Sequence, residues 1–127
     1  MEKLVFDTGL VSYRVGGGVL KFNPADPNVY ARFMDAVEEI KALEGSLAGE
    51  SDVLTALRMA DKKIKGLLSS VFGQQNDFDA ILGGVNLLAV ASNGERIITN
   101  LLTALQPVLI NGARRCAGEI AAKAKKA

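Results

Sequence analysis

The sequence predicts a mainly α fold of the α+β class, in which an N-terminal β-hairpin leads into a small bundle of three to five helices. Three observations carry that expectation. Residues 11–22 alternate around the triplet Gly16-Gly17-Gly18, the pattern of two strands joined by a tight reversal. Beyond Pro24, apolar residues recur at steps of three and four through long stretches, which puts them on single helical stripes. An apolar content of 49% over 127 residues is enough for one core and hardly for two. A single domain over 1–127 is therefore expected, with a hairpin at 1–23, a helical core at 26–112 and a basic Ala/Lys-rich helix or tail at 113–127.

In the hairpin, Val11, Tyr13 and Val15 share one side and Ser12 and Arg14 the other, before Val19 to Phe22 resumes an apolar run. The segment Leu4 to Phe6 can add a third short strand. Three glycines permit a turn but lack the spacing and following helix of a phosphate-binding loop. A lone hairpin is marginal in water, so this one must lean on a helix or on another copy, with a strand edge left open.

Pro24 ends the strand, Asp26 can accept the first free amide hydrogens of a helix, and Pro27 fits its first turn. Tyr30, Phe33, Val37, Ile40 and Leu43 then form a stripe, with Asp35, Glu38 and Glu39 turned outward. Gly45 and Gly49 loosen the chain, and Ser51 or Asp52 caps a second helix. Its stripe is Val53, Leu57, Ala60, Ile64, Leu67 and Val71, with Arg58, Lys62, Lys63 and Lys65 in water. Gly73 closes it as a left-handed residue would.

The stretch SVFGQQNDFDAILGG at 70–84 interrupts two strongly apolar regions. Its run DFDAIL makes one or two helical turns that pack through Phe78, Ile81 and Leu82, until Gly83 and Gly84 stop it. Ser92 and Glu95 have capping-box spacing, which is expected to open the longest helix. Ile97, Ile98, Leu101, Leu102 and Leu105 give that helix a wide apolar face, and Pro107 should kink it. Its remainder is either continuous or broken near Gly112.

The formal net charge is +1, but the charges are segregated. Residues 26–52 balance at −5 and residues 114–127 at +4. Such polarity suits head-to-tail self-contact or an acidic partner, and equally a solvated helix face with a frayed basic end. Cys116 is alone and has no histidine anywhere in the chain to activate it. Neither a signal-peptide run nor a membrane span is evident, and a cytoplasmic location is expected.

Chemistry finds little support in these residues. Without histidine, acid–base work falls to the neighbours Glu38 with Glu39 or Asp77 with Asp79, and neither pair has a third group brought to it. The segment at Asp77 lacks the carboxylate spacing and terminal glutamate of a calcium loop. No catalytic, metal or cofactor residue is assigned. Nucleic-acid binding is weakly supported by the basic residues of the second helix, and opposed by the acidic first helix and the scarcity of aromatics. Apolar contact remains, since residues 85–110 are rich enough in leucine and isoleucine to leave a helix face uncovered.

A hairpin running into FNPADPNVYARF at Phe22 to Phe33, an acidic helix after it, and VFG at Val71 to Gly73 leading through DFDAILGG to an apolar final helix together span most of the chain. In these features the sequence resembles the small tail assembly chaperones of long-tailed bacteriophages and prophages, particularly those of Firmicutes-type phages. The resemblance implies a non-enzymatic helical protein that coats the tape measure protein, keeps it soluble and helps recruit tail tube protein. It implies a homo-oligomer acting in the bacterial host cytoplasm and absent from the mature virion, without cofactor, membrane or small-molecule substrate. A longer frameshifted form is a further implication, although no strongly charged extended tail follows the last helix.

With that function, the partner-binding candidates are Phe72, Phe78, Ile81, Leu82, Leu101, Leu105 and Leu109. Those for self-association are Tyr13, Val15, Arg114 and Arg115. The stretch at 70–84 then reads as a helix cap, a polar hinge and a small docking helix that lets the final helix swing over a partner. The alternatives, in order, are a generic helical adaptor or a structural tail-completion protein, and then a weak nucleic-acid binder.

Overall fold

The computed structural model describes residues 1–126, so Ala127 of the expected basic end lies outside the described residues. Strands β1 (Val11–Val15) and β2 (Gly18–Phe22) form an antiparallel hairpin, with Tyr13 opposite Leu20 and Val15 opposite Gly18. Gly16 takes φ +58° in the turn, a backbone angle that L side chains rarely adopt. Gly18 has another reason to be glycine. A Cβ there would lie 2.5 Å from the carbonyl oxygen of Ile81, so the third glycine lets a later helix sit against β2. Leu4 to Phe6 form no strand and are exposed.

Helix α1 (Pro27–Ser46) begins as its sequence dictates, with the Asp26 carboxylate accepting from the Asn28 amide and Pro27 in the first turn. Gly45 does not break it; it passes into a 3₁₀ turn at Leu47–Gly49. Its most buried line is Val29, Phe33, Ala36 and Ile40, with Tyr30, Val37 and Leu43 half-buried beside it. Asp52 caps α2 (Val53–Phe72) by accepting from the Thr55 amide and hydroxyl. The buried line of α2 is Ala60, Ile64, Leu68, Val71 and Phe72, and two charged residues, Asp61 and Lys65, are buried with it. Gly73 ends the helix at φ +108° and ψ 146°, a positive-φ conformation more extended than left-handed helical. The Arg32 guanidinium donates from Nε and Nη2 to the carbonyl of Val71, tying the end of α2 to α1.

The short helix α3 (Phe78–Ile81) is capped by Asp77 and stopped by Gly83 and Gly84, both at positive φ. The long helix α4 (Ile97–Lys126) does not start on a capping box. Residues 90–96 make a reversal in which Val90 pairs with Arg96 and the Ala91 amide donates to Glu95. The carbonyls of Ala89 and Leu87 accept from the amides of Ile97 and Ile98. Those carbonyls take over at the first turn of α4 the capping role expected of Ser92 and Glu95. From there α4 runs unbroken through Pro107 and Gly112.

Helix α1 packs against both α2 and α4, and β2 closes the core at one end through Leu20 and Phe22. A run of rings joins the layers: Tyr13 stacks on Phe22 at 5.1 Å, Phe22 meets Phe72 at 4.6 Å, and Phe72 meets Phe78 at 5.8 Å. Gly112 is where α4 crosses the corner between β2 and α1, and a Cβ there would overlap the carbonyl group of Pro24. Gly112→Ala gains about 1 kcal/mol of helix propensity. Overpacking against a fixed backbone costs about 1–3 kcal/mol or more. The corner cannot easily yield, because the Asn23 carbonyl and side chain hold the amides of Asp26 and Ala25. A net loss of stability is expected on urea unfolding, whereas Gly118→Ala, with nothing near its position, should be neutral or stabilising.

Candidate protein-binding site

The stretch at 70–84 is held in place at both ends. Asn76 is 3% exposed. Its side-chain oxygen accepts from the Lys21 amide at 3.0 Å, and its side-chain nitrogen donates to the carbonyls of Lys21 at 2.8 Å and Phe72 at 2.9 Å. The amide side chain thereby acts as a short piece of strand along β2. The expected polar hinge is corrected accordingly: its central side chain is a buried tie, because a polar group in a core persists only when its bonds are made.

A second tie involves Lys65. Its ammonium donates to Asp61 Oδ2 at 2.9 Å, to Asp79 Oδ1 at 2.6 Å and to the Val85 carbonyl at 2.7 Å, which uses all three of its protons. The other oxygen of Asp61 accepts from the Leu87 amide at 2.8 Å. Lys65 was expected in water, but it is the post on which residues 79–87 are hung. Burial by itself pulls its pKa down. The hydrogen bonds it donates to Asp79 and Asp61 and the charges of both carboxylates outweigh that, and the pKa is raised above 10.5.

The predicted partner-binding residues are mostly core. Phe72, Phe78, Ile81, Leu101, Leu105 and Leu109 are buried, and Leu82 is half-buried. The apolar face of α4 packs largely on α1, and the opening of about 270 Å³ left between the two helices is lined by Val37, Leu102 and Gln106 and by none of the predicted partner-binding residues. Of the self-association candidates, Tyr13 and Val15 are half-buried on the hairpin, while Arg114 and Arg115 are exposed on a different element. Cys116 is half-buried on α4.

The exposed apolar surface lies elsewhere. Around the first turns of α2, Val53, Leu54 and Met59 are exposed, Leu54 by 76% and Met59 by 68%, and so is Val90. A groove of about 830 Å³ lies on one side of these turns, with Leu43, Leu47, Ala56 and Met59 at its base and Glu50, Asp52, Lys62 and Lys63 among its polar lining. A second, of about 490 Å³, lies on the other side between Leu54, Leu57, Leu88 and Ala89. Thr55 borders both grooves. An apolar centre with a rim of both charge signs is the anatomy of a protein-contact surface. Val53 shares the helical stripe and was expected inside, yet it is exposed. The signal against that was available, since Val53 and Leu54 stand at the very start of the helix, just beyond its cap.

Among the described residues, no group of three or more histidine, cysteine or carboxylate side chains converges to hold a metal ion. None of the described helices is long and apolar enough to cross a membrane. Compared with protein-family models, with curated proteins and with solved structures, the chain gives no match in any of the three.

Proposed function

We propose that this chain is a tail assembly chaperone of a long-tailed phage or prophage, acting by sheltering an apolar helix of the tape measure protein. The observation that carries the reading is the exposed apolar face of α2 between its two grooves. An amphipathic helix laid across the start of α2 would set apolar side chains into the groove at Leu43, Leu47 and Met59 on one side and against Leu54 on the other, in the manner of helix-in-groove recognition. Charged side chains of both signs at the rim would set its register rather than its affinity. The sequence resemblance supplies the identity of the partner, and recruitment of tail tube protein belongs to the same proposal. A general helical adaptor would use the same face for other helices.

Co-expression with a fragment of the tape measure protein separates the two. The chaperone is expected to hold that fragment in the soluble fraction. Combining Leu54→Glu with Met59→Glu should abolish this effect while leaving the thermal midpoint nearly unchanged, because both side chains already face water. A fragment that precipitates equally with and without the wild-type chain refutes the reading.

A further inference from the structure

The hairpin is a sheet of two strands whose two outer edges differ. On β2 the outward groups of Lys21 are taken by Asn76, and Gly18 lies against the backbone of Ile81. Because Lys21 directs its amide and carbonyl away from β1, its partner Ser12 directs its own away from β2, and so does Arg14 two residues on. Among the described residues, no hydrogen bond reaches these groups of Ser12 and Arg14. The chain's own N-terminal arm does not cover them. Gly9 at φ +75°, with the Thr8 carbonyl held by the Asn23 side chain, turns the arm away, and Leu4, Val5 and Phe6 are 74–86% exposed.

We infer that the free edge of β1 pairs antiparallel with β1 of a second copy, across a two-fold axis at Tyr13, to give a continuous four-stranded sheet. The strand VSYRV is self-complementary about its centre. Pairing there sets Ser12 opposite Arg14 of the second copy, so that their outward groups exchange hydrogen bonds, and sets Tyr13 opposite Tyr13 and Val11 opposite Val15. Val11, which is 41% exposed, and the half-buried Tyr13 and Val15 then extend the apolar side of the sheet across the seam. A shift of two residues to centre the axis on Ser12 or Arg14 is not needed to bring the edges together, and the Arg14 register would oppose like charges. β1 has no proline, no lysine and no bulge, and its one charge, Arg14, lies opposite Ser12 of the second copy in this register. This association does not depend on the α2 face or on the partner proposed for it.

Sedimentation of the full chain tests it. The wild type is expected at twice the 13.4 kDa chain mass. Ser12→Pro removes an outward donor and leaves the ladder with β2 untouched, as proline permits on an edge strand. It should sediment as a monomer with its thermal midpoint retained. A wild-type monomer throughout the micromolar range, or a folded Ser12→Pro chain that keeps the doubled mass, overturns the inference. Should Ser12→Pro not fold, Tyr13→Cys in a Cys116→Ala background decides. Non-hydrogen-bonded neighbours stand about 4.5 Å apart at Cα, within disulfide reach. Oxidised glutathione should then link two chains through position 13, and chains that stay unlinked on a non-reducing gel contradict the register.

Discussion

Phe78→Ala is expected to lower the unfolding free energy by about 3–5 kcal/mol, the range for truncating a fully buried phenylalanine. Its side chain is completely shielded and touches the ring of Phe72, which in turn meets Phe22 of β2. Removing it leaves a cavity where α2, α3 and the hairpin converge, and the backbone around it is poorly able to collapse. Gly18 already meets Ile81 at contact distance, and Asn76 fixes the adjoining turn. A small domain of ordinary stability, about 5–15 kcal/mol, loses much of its margin. Urea unfolding should show a lower midpoint at an unchanged slope. The small docking helix expected at 70–84 thus rests on a ring that belongs to the core.

Lys65→Met is expected to cost about 3–5 kcal/mol, because breaking a buried ion pair leaves the remaining charge uncompensated. Asp61 is buried and keeps only the Leu87 amide, and the Val85 carbonyl loses its donor. Asp79 can turn to water, since its side chain is largely exposed. Adding Asp61→Asn should recover part of the loss: it removes the stranded charge and retains an oxygen for Leu87, so the two changes will not be additive. The same network gives a pH signature. A lysine whose folded pKa is raised contributes stability that is fully present below its unfolded value and is lost as pH rises through the folded value. The wild type should therefore lose this contribution only above pH 10.5, and the thermal midpoint of Lys65→Met should lack that alkaline step.

Much of the fold was legible because its signals are local. The glycine turn after Val15, the Asp26-Pro27 start of α1, the Asp52 cap and the stripe through Ile64 and Val71 each act within a few residues. The features missed are those in which a side chain serves a distant backbone. Asn76 reaches Lys21 across 55 positions, and Asp61 reaches Leu87 across 26. Lys65 looked like part of a wet basic face because nothing in its own helix reveals that residues 79–87 fold back over it. The start of α4 was misplaced for the same reason, since carbonyls of Leu87 and Ala89 supply its cap. The exposed apolar side chains were expected on the wrong helix. The leucine-rich α4 was expected to have a face to spare, yet its leucines fill the core, and the surplus lies at the start of α2.

The α2 face is probed most directly by titration calorimetry of the purified chain with an amphipathic helical segment of a tape measure protein, repeated at several temperatures. Burial of apolar surface predicts saturable binding whose enthalpy becomes more negative on warming, and loss of that heat with Leu54→Glu. No heat with any apolar helix, or binding that Leu54→Glu leaves intact, would contradict the account.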